Sequence, residues 1–114
     1  MKKWDLIEED KIHEYKFGLE SNGTANFEII DGSLLLNSRG SGWFSIVHDP
    51  WRPCQGEGGH LGPNPGLFNR YIFDKRLDVG VFQTNSFEED LQLSGIPILE
   101  TSVKSDKKSF DICL

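Results

Sequence analysis

The sequence contains no run of about 18 apolar residues, the length that a helix needs to cross a bilayer. Lys2 and Lys3 lead into acidic residues and not into an apolar segment, so no signal peptide is predicted. The chain has 12 basic and 18 acidic residues, a net charge of −6, and no dense cluster of Lys or Arg. We therefore expect no membrane partner and no nucleic-acid partner.

Cysteine is scarce as well, because Cys54 and Cys113 are the only two. Two cysteines do not make a disulfide framework. Together with the missing signal peptide, this predicts a reducing, cytoplasmic location. We expect two free thiols, Cys54 in a loop and Cys113 in a strand.

At 114 residues the chain has room for one domain. We predict an arm or linker over residues 1–11 and a domain over residues 12–114. The 12 Gly and 5 Pro favour turns over long helices, and no amphipathic helix stands out. An all-β sandwich is predicted, with Trp43 in its core and a short helix or turn over residues 67–73. The strand candidates lie at residues 15–19, 27–30, 34–36, 43–47, 79–84, 91–93, 96–103 and 110–114.

Residues 49–66 hold four Pro and five Gly, which predicts a long irregular loop. Loops of this length in a small domain are usually functional or dock against something. Asp49 is expected to cap the turn made by Pro50, and Trp51 to offer a contact surface. An ordered surface loop without any partner is the alternative.

The motifs of common enzymes are absent. A serine-hydrolase elbow requires Gly-x-Ser-x-Gly, and the nearest string, Ser38-Arg39-Gly40-Ser41-Gly42, has the wrong spacing. We interpret that string as a glycine-rich turn between strands. No phosphate-binding loop is present either. The chain itself is therefore not predicted to be an enzyme.

The sequence gives only a weak indication of a metal site or of an acid–base site. His48, Cys54 and His60 recur at six-residue intervals, which matches no closed zinc site, and we expect no metal and no cofactor. The acidic triplet at residues 88–90 is interpreted as a solvated turn, with acid–base work or calcium binding as the alternative. Arg76 and Asp78 are predicted to form a structural ion pair.

Two stretches resemble a known family. The string Asp49-Pro50-Trp51-Arg52-Pro53, followed by Gly58-Gly59-His60, is similar to the Asp-Pro-x-x-Pro … Gly-Gly loop in the C-terminal β-domain of CocE/NonD hydrolases. Arg76-Leu77-Asp78-Val79, with Phe82, Thr84, Leu91, Leu93 and Gly95 after it, resembles that domain's Arg-x-Asp-Val-x-x-Tyr/Phe-x-Thr … Leu-x-Leu-x-Gly passage. Phe82 stands where Tyr is more usual, and residues 110–114 resemble the strand that follows.

The resemblance covers residues 15–114 and implies a galactose-binding-like jelly-roll β-sandwich. In the family, which includes Xaa-Pro dipeptidyl-peptidases, esterases and acylases, this β-domain packs on an α/β-hydrolase core that carries the catalytic triad. None of that core is present, so the resemblance assigns no catalytic residue to this chain. It implies a non-catalytic domain that braces the hydrolase core and walls its substrate pocket. Asp49, Trp51, Arg52 and His60 are our candidates for the docking loop.

The family's β-domain continues past the strand at Phe110, so the resemblance also implies a jelly roll truncated at its C-terminus. Such a truncation leaves sheet edges unpaired, and we expect marginal stability or self-association. The alternative function is a free-standing carbohydrate- or ligand-binding module. In that reading Trp51, Glu57 and Asp49 bind a sugar.

Overall fold

The regular structure of the described residues consists of three short strands and one helical turn. The computed structural model describes residues 13–59 and 64–114. Strands β1 (Phe17–Ser21), β2 (Ser33–Leu36) and β3 (Ser41–Gly42) form one sheet in the order β2-β1-β3. β1 pairs with β2 antiparallel and with β3 parallel. The helix α1 spans Tyr71–Asp74. The described part of the chain is therefore a small β-rich unit.

The connection between β1 and β2 is organised around the Asp31 carboxylate. It accepts hydrogen bonds from the Ser21 hydroxyl at 2.6 Å, from the backbone and side-chain nitrogens of Asn22 at 3.0 and 2.8 Å, and from the Thr24 amide at 3.1 Å. These bonds lower the pKa of Asp31 below its ordinary range, with that from Ser21 contributing most. The charged carboxylate thus holds the Asn-Gly turn against the end of β1.

The parallel pairing of β1 with β3 depends on glycine. Gly42 has φ of +91°, and a Cβ added there would lie 1.8 Å from the Ser21 carbonyl oxygen. Only a residue without a side chain fits this close approach of two backbones. The turn before β3 is stabilised by the Ser38 hydroxyl, which donates to Glu20 at 2.7 Å and accepts from the Gly40 amide at 3.1 Å.

A later segment runs beside β2 and closes the small core. The Val81 amide donates to the Ala25 carbonyl, the Gln83 amide to the Gly32 carbonyl, and the Leu34 amide to the Gln83 carbonyl. Ala25 is 1% exposed at the centre of this contact. Nearby, the rings of Phe44 and Phe82 pack with their centroids 5.4 Å apart.

Two of the predicted strands before residue 49 are wrong. Residues 27–30 form turns, because the Thr24 carbonyl accepts hydrogen bonds from the amides of both Phe27 and Glu28. Residues 43–47 are not a strand either, since the pairing of β3 with β1 ends at Gly42. Trp43 is 74% exposed, so its assignment to the core is also wrong.

None of the predicted strands after residue 78 forms a strand in the structure. Residues 79–84 are reduced to a single bridge between Gln83 and Ser33. Residues 91–93, 96–103 and 110–114 contain no strand, and Cys113 is therefore not in one. No backbone hydrogen bond joins residues 85–114 to another described residue. A strand requires a neighbour to complete its hydrogen-bond ladder, which an alternating sequence alone does not supply.

Other predictions are confirmed. Residues 49–59 and 64–66 contain no helix and no strand, and α1 overlaps the predicted short helix or turn at residues 71–73. Cys54 and Cys113 are free and exposed.

Within residues 13–59 and 64–114, no helix is long and apolar enough to cross a membrane. The predicted arm over residues 1–11 lies outside the described residues.

Candidate functional site

The first half of the candidate loop is a compact turn that projects a tryptophan. The Trp51 amide donates to the Asp49 carboxylate at 3.0 Å, and the Arg52 amide donates to the Asp49 carbonyl at 3.0 Å. Asp49 therefore caps the turn at Pro50, as predicted, in the manner of an Asx-turn. Trp51 is 93% exposed. The turn holds the backbone beside Trp51 while leaving the indole ring open to solvent.

An ion pair from a distant part of the sequence holds this turn in place. Arg76 donates from Nε and Nη2 to the two oxygens of Asp78, each at 2.7 Å, which confirms the predicted pair. Arg76 Nη2 also donates to the Arg52 carbonyl. The two stretches that resemble the CocE/NonD family, around Asp49 and around Arg76, are thus in direct contact.

The electrostatics of this contact are consistent with a fixed charge pair. The hydrogen bond from Arg76 lowers the pKa of Asp78, while burial acts in the opposite direction. The hydrogen bond to Asp78 raises the pKa of Arg76, while burial acts in the opposite direction. Both partners stay charged near neutral pH. A bidentate pair of this geometry gives Arg76 a defined direction toward the loop.

The second half of the loop is held by separate contacts. The Asn64 side chain donates to the Glu57 carboxylate at 2.9 Å, and Arg70 donates to the Glu57 carbonyl at 3.2 Å. Gly59 and Gly66 exchange two backbone hydrogen bonds, at 2.9 and 2.8 Å. Glu57, which the sugar-binding reading uses, is therefore already engaged by a neighbouring side chain.

The structure brings three of the four candidate docking residues together. Asp49, Trp51 and Arg52 lie on one turn, and all three are exposed. The Arg52 guanidinium forms no ion pair with another described residue. His60 lies outside the described residues. Whether these residues bind a partner stays a prediction.

Sequence reasoning missed Asn26, which ties the loop region to the core. Asn26 is 5% exposed, and its side-chain nitrogen donates to the Ser45 carbonyl at 2.8 Å and to the Leu77 carbonyl at 3.0 Å. Asn26 thereby fixes the backbone at Ser45, which precedes the loop, and at Leu77, which follows it. Its side-chain oxygen is buried and has no hydrogen-bond partner among the residues that the structure describes. No sequence signal marks Asn26, because its partners are carbonyls far along the chain.

The described residues offer no metal centre. No group of three or more His, Cys, Asp or Glu among residues 13–59 and 64–114 is placed to hold a metal ion. His48 and Cys54 therefore do not form such a group with another described residue, and His60 is not described. The acidic residues 88–90 are exposed, as a solvated turn would be.

The geometry of the loop suits binding. The loop exposes an indole ring, a guanidinium group and a carboxylate on one turn. Arg76 holds the backbone of that turn at the Arg52 carbonyl. Such a combination is common in protein-contact surfaces. Comparison of the chain with protein-family models, with curated proteins and with solved structures finds no match. The resemblance to CocE/NonD hydrolases accordingly rests on the two motifs alone.

Proposed function

We propose that this chain is a non-catalytic β-domain of a CocE/NonD-type serine hydrolase. In this proposal it belongs to a galactose-binding-like jelly roll that packs on an α/β-hydrolase core of the same polypeptide. It braces that core and forms one wall of the substrate pocket. The catalytic triad lies in the hydrolase core, and the polypeptide is cytoplasmic.

One observation carries the proposal: Arg76 donates to the Arg52 carbonyl and thereby joins the two family-like motifs. The motifs are separated in sequence, yet they build one feature, a turn with an exposed tryptophan. A large aromatic side chain costs free energy when it is exposed to water, and an exposed aromatic on a fixed turn is typical of contact surfaces. The contact between the motifs supports a shared role in docking.

The size of the native polypeptide is the first test. An immunoblot of source cells against this chain, followed by intact-mass measurement, is expected to detect a polypeptide several times heavier than 12.9 kDa. Its activity is expected on an aryl ester or an Xaa-Pro anilide. A native polypeptide of 12.9 kDa would exclude the accessory-domain role.

The second test uses two exposed tryptophans as a matched pair. In the native polypeptide, Trp51→Ala is expected to lower the thermal midpoint of the hydrolase or to raise KM. Trp43→Ala removes the same side chain outside the loop and is expected to leave both unchanged. Equal effects of the two substitutions on the thermal midpoint and on KM would show that Trp51 is not part of the docking surface.

A free-standing carbohydrate-binding module is the second candidate, favoured by the open indole of Trp51 beside the Asp49 carboxylate. Sugars stack on such rings while carboxylates bind their hydroxyls. A panel of sugars that quenches tryptophan fluorescence in the wild type and not in Trp51→Ala would favour this candidate. Absence of any response would leave docking as the function of the loop.

A further inference from the structure

A cleft separates the free edge of β3 from the later part of the chain. It has a volume of about 470 Å³ and is lined by residues 40–42 on one side and by residues 100–102 on the other, with Leu19 and Arg39 beside them. β3 pairs with β1 along one edge only. The residues of β3 line the cleft, and no described residue forms a backbone hydrogen bond with its other edge.

The opposite wall of the cleft is equally unpaired. Residues 85–114 make no backbone hydrogen bond to another described residue. Ile98 is 84% exposed and Val103 is 51% exposed. The sequence predicts a strand over residues 96–103, yet no described residue pairs with it. Two unpaired backbones that face each other across a cleft form an acceptor for an added strand.

The sequence of this wall is complementary to itself. Glu100 and Lys104 lie at equal distances from Ser102 and on one face of an extended chain. If two copies pair antiparallel about Ser102, Glu100 lies opposite Lys104 of the partner subunit. The twofold axis then makes this favourable pair twice. Opposite charges that face each other across two strands stabilise that register.

We propose that residues 98–106 of two copies of this chain pair antiparallel, each strand entering the other copy's cleft. The strand of the partner subunit then lies between β3 and residues 100–102 of the first copy. By the twofold symmetry, residues 98–106 of the first copy occupy the equivalent cleft of the partner subunit. The two three-stranded sheets become one continuous sheet across the twofold axis. Pro97 has no amide hydrogen, so the ladder begins after it. Arg39, at the rim of the cleft, adds a positive charge for Glu100 of the partner subunit.

The closed symmetry makes a clear prediction about size. An isologous contact of this kind ends at a dimer, whereas a head-to-tail contact gives open assemblies. Sedimentation velocity of the isolated 114-residue chain, over a series of concentrations, is expected to show a monomer of 12.9 kDa and a species of twice that mass. A monomer at all concentrations, or open-ended assemblies, would overturn the proposal.

Charge reversal tests the register. Glu100→Lys places two lysines opposite each other, and Lys104→Glu places two glutamates opposite each other. Each substitution alone is expected to raise the dimer Kd about tenfold, because like charges face each other at two symmetric positions. Circular dichroism of each variant should match the wild type, since both side chains are exposed.

Two rescue experiments separate this register from a general charge effect. The double variant Glu100→Lys with Lys104→Glu restores both opposite-charge pairs and is expected to dimerise like the wild type. An equimolar mixture of the two single variants is expected to form a heterodimer. Single variants that dimerise as tightly as the wild type, or a mixture that stays monomeric, would disprove the pairing about Ser102. The proposal does not use residues 49–59, so it stands or falls separately from the docking function.

Discussion

Residues 17–83 and residues 85–114 have similar alternating apolar patterns but different structures. The first region contains all three strands of the described chain and its buried residues, Gly18, Ala25, Asn26 and Gly32. The second contains no strand and is almost wholly exposed. An alternating pattern expresses only a tendency to form a strand. Pairing partners within the described chain decide whether the strand forms.

The two regions also differ in how side chains bind the backbone. In the first, Asp31, Ser38, Asn26 and Arg76 each bind backbone groups at one or more turns. In the second, a single such bond joins the Lys107 amide to the Ser105 hydroxyl. Stability in the first region thus depends on a few specific polar contacts, and substitutions there are expected to have the larger effects.

The largest effect is expected from Gly42→Ala. The new Cβ would collide with the Ser21 carbonyl and would also hold Ala at φ of +91°, so we expect a loss of more than about 2 kcal/mol in unfolding free energy. Gly56→Ala is the control, because no atom lies within 4 Å of its Cβ position. It should change stability by less than about 0.5 kcal/mol. Urea denaturation measures both, and equal midpoints would contradict the pairing of β1 with β3.

Asp31 should make the stability of the first region depend on pH. Its pKa is lowered on folding, so its contribution is fully present above the ordinary value of 3.8 and is lost as pH falls toward the lowered value. Asp31→Asn should destabilise the protein at neutral pH and flatten this acid limb. Thermal midpoints of both proteins between neutral and acidic pH provide the measurement. An unchanged acid limb in the variant would show that other carboxylates dominate.

Arg76→Lys should loosen the loop while leaving the sheet intact. Lysine keeps the charge but cannot bind Asp78 and the Arg52 carbonyl with one planar fork. We expect the amides of Trp51 and Arg52 to exchange hydrogen about tenfold faster, with β1 unaffected. Arg70→Lys is the matched control, because Arg70 binds the Glu57 half of the loop. Faster exchange in β1 would indicate general destabilisation instead.

The smallest effect is expected in the second region. Lys107 and Asp106 form an ion pair of 3.2 Å in which both side chains are highly exposed. Exposed pairs contribute little, since water screens them. Asp106→Asn should leave the thermal midpoint unchanged, and a clear decrease would reveal structure in residues 85–114 that depends on this pair.

Sequence reasoning predicted the local features of the first region best. β1, β2, the irregular loop and the helical turn follow from short apolar patterns and from Gly and Pro, which act within a few residues. It failed where the outcome depends on a backbone partner that the apolar pattern does not reveal. Residues 27–30 are turns because the Thr24 carbonyl accepts hydrogen bonds from the Phe27 and Glu28 amides, and Trp43 is exposed because the pairing of β3 ends before it.

The candidate site shows the same division. The Asx-turn at Asp49 and the Arg76–Asp78 pair are local, and the sequence predicted both. The contact of Arg76 with the Arg52 carbonyl joins residues far apart in the chain, and no spacing rule predicts it. The same is true of Asn26, whose two carbonyl partners lie on either side of the loop.

The bridge between Ser33 and Gln83 has a consequence for the order of folding. β1, β2 and β3 are close neighbours along the chain, whereas this bridge closes a loop of fifty residues. Local contacts form sooner because they lose less chain entropy. We expect the hairpin of β1 and β2 to form first and residues 81–83 to join it later. Arg76 binds the Arg52 carbonyl across only 24 residues, a shorter loop than the one that the bridge closes. The turn that carries Trp51 would therefore be in place before the bridge forms, and its readiness to bind would not depend on residues 81–83.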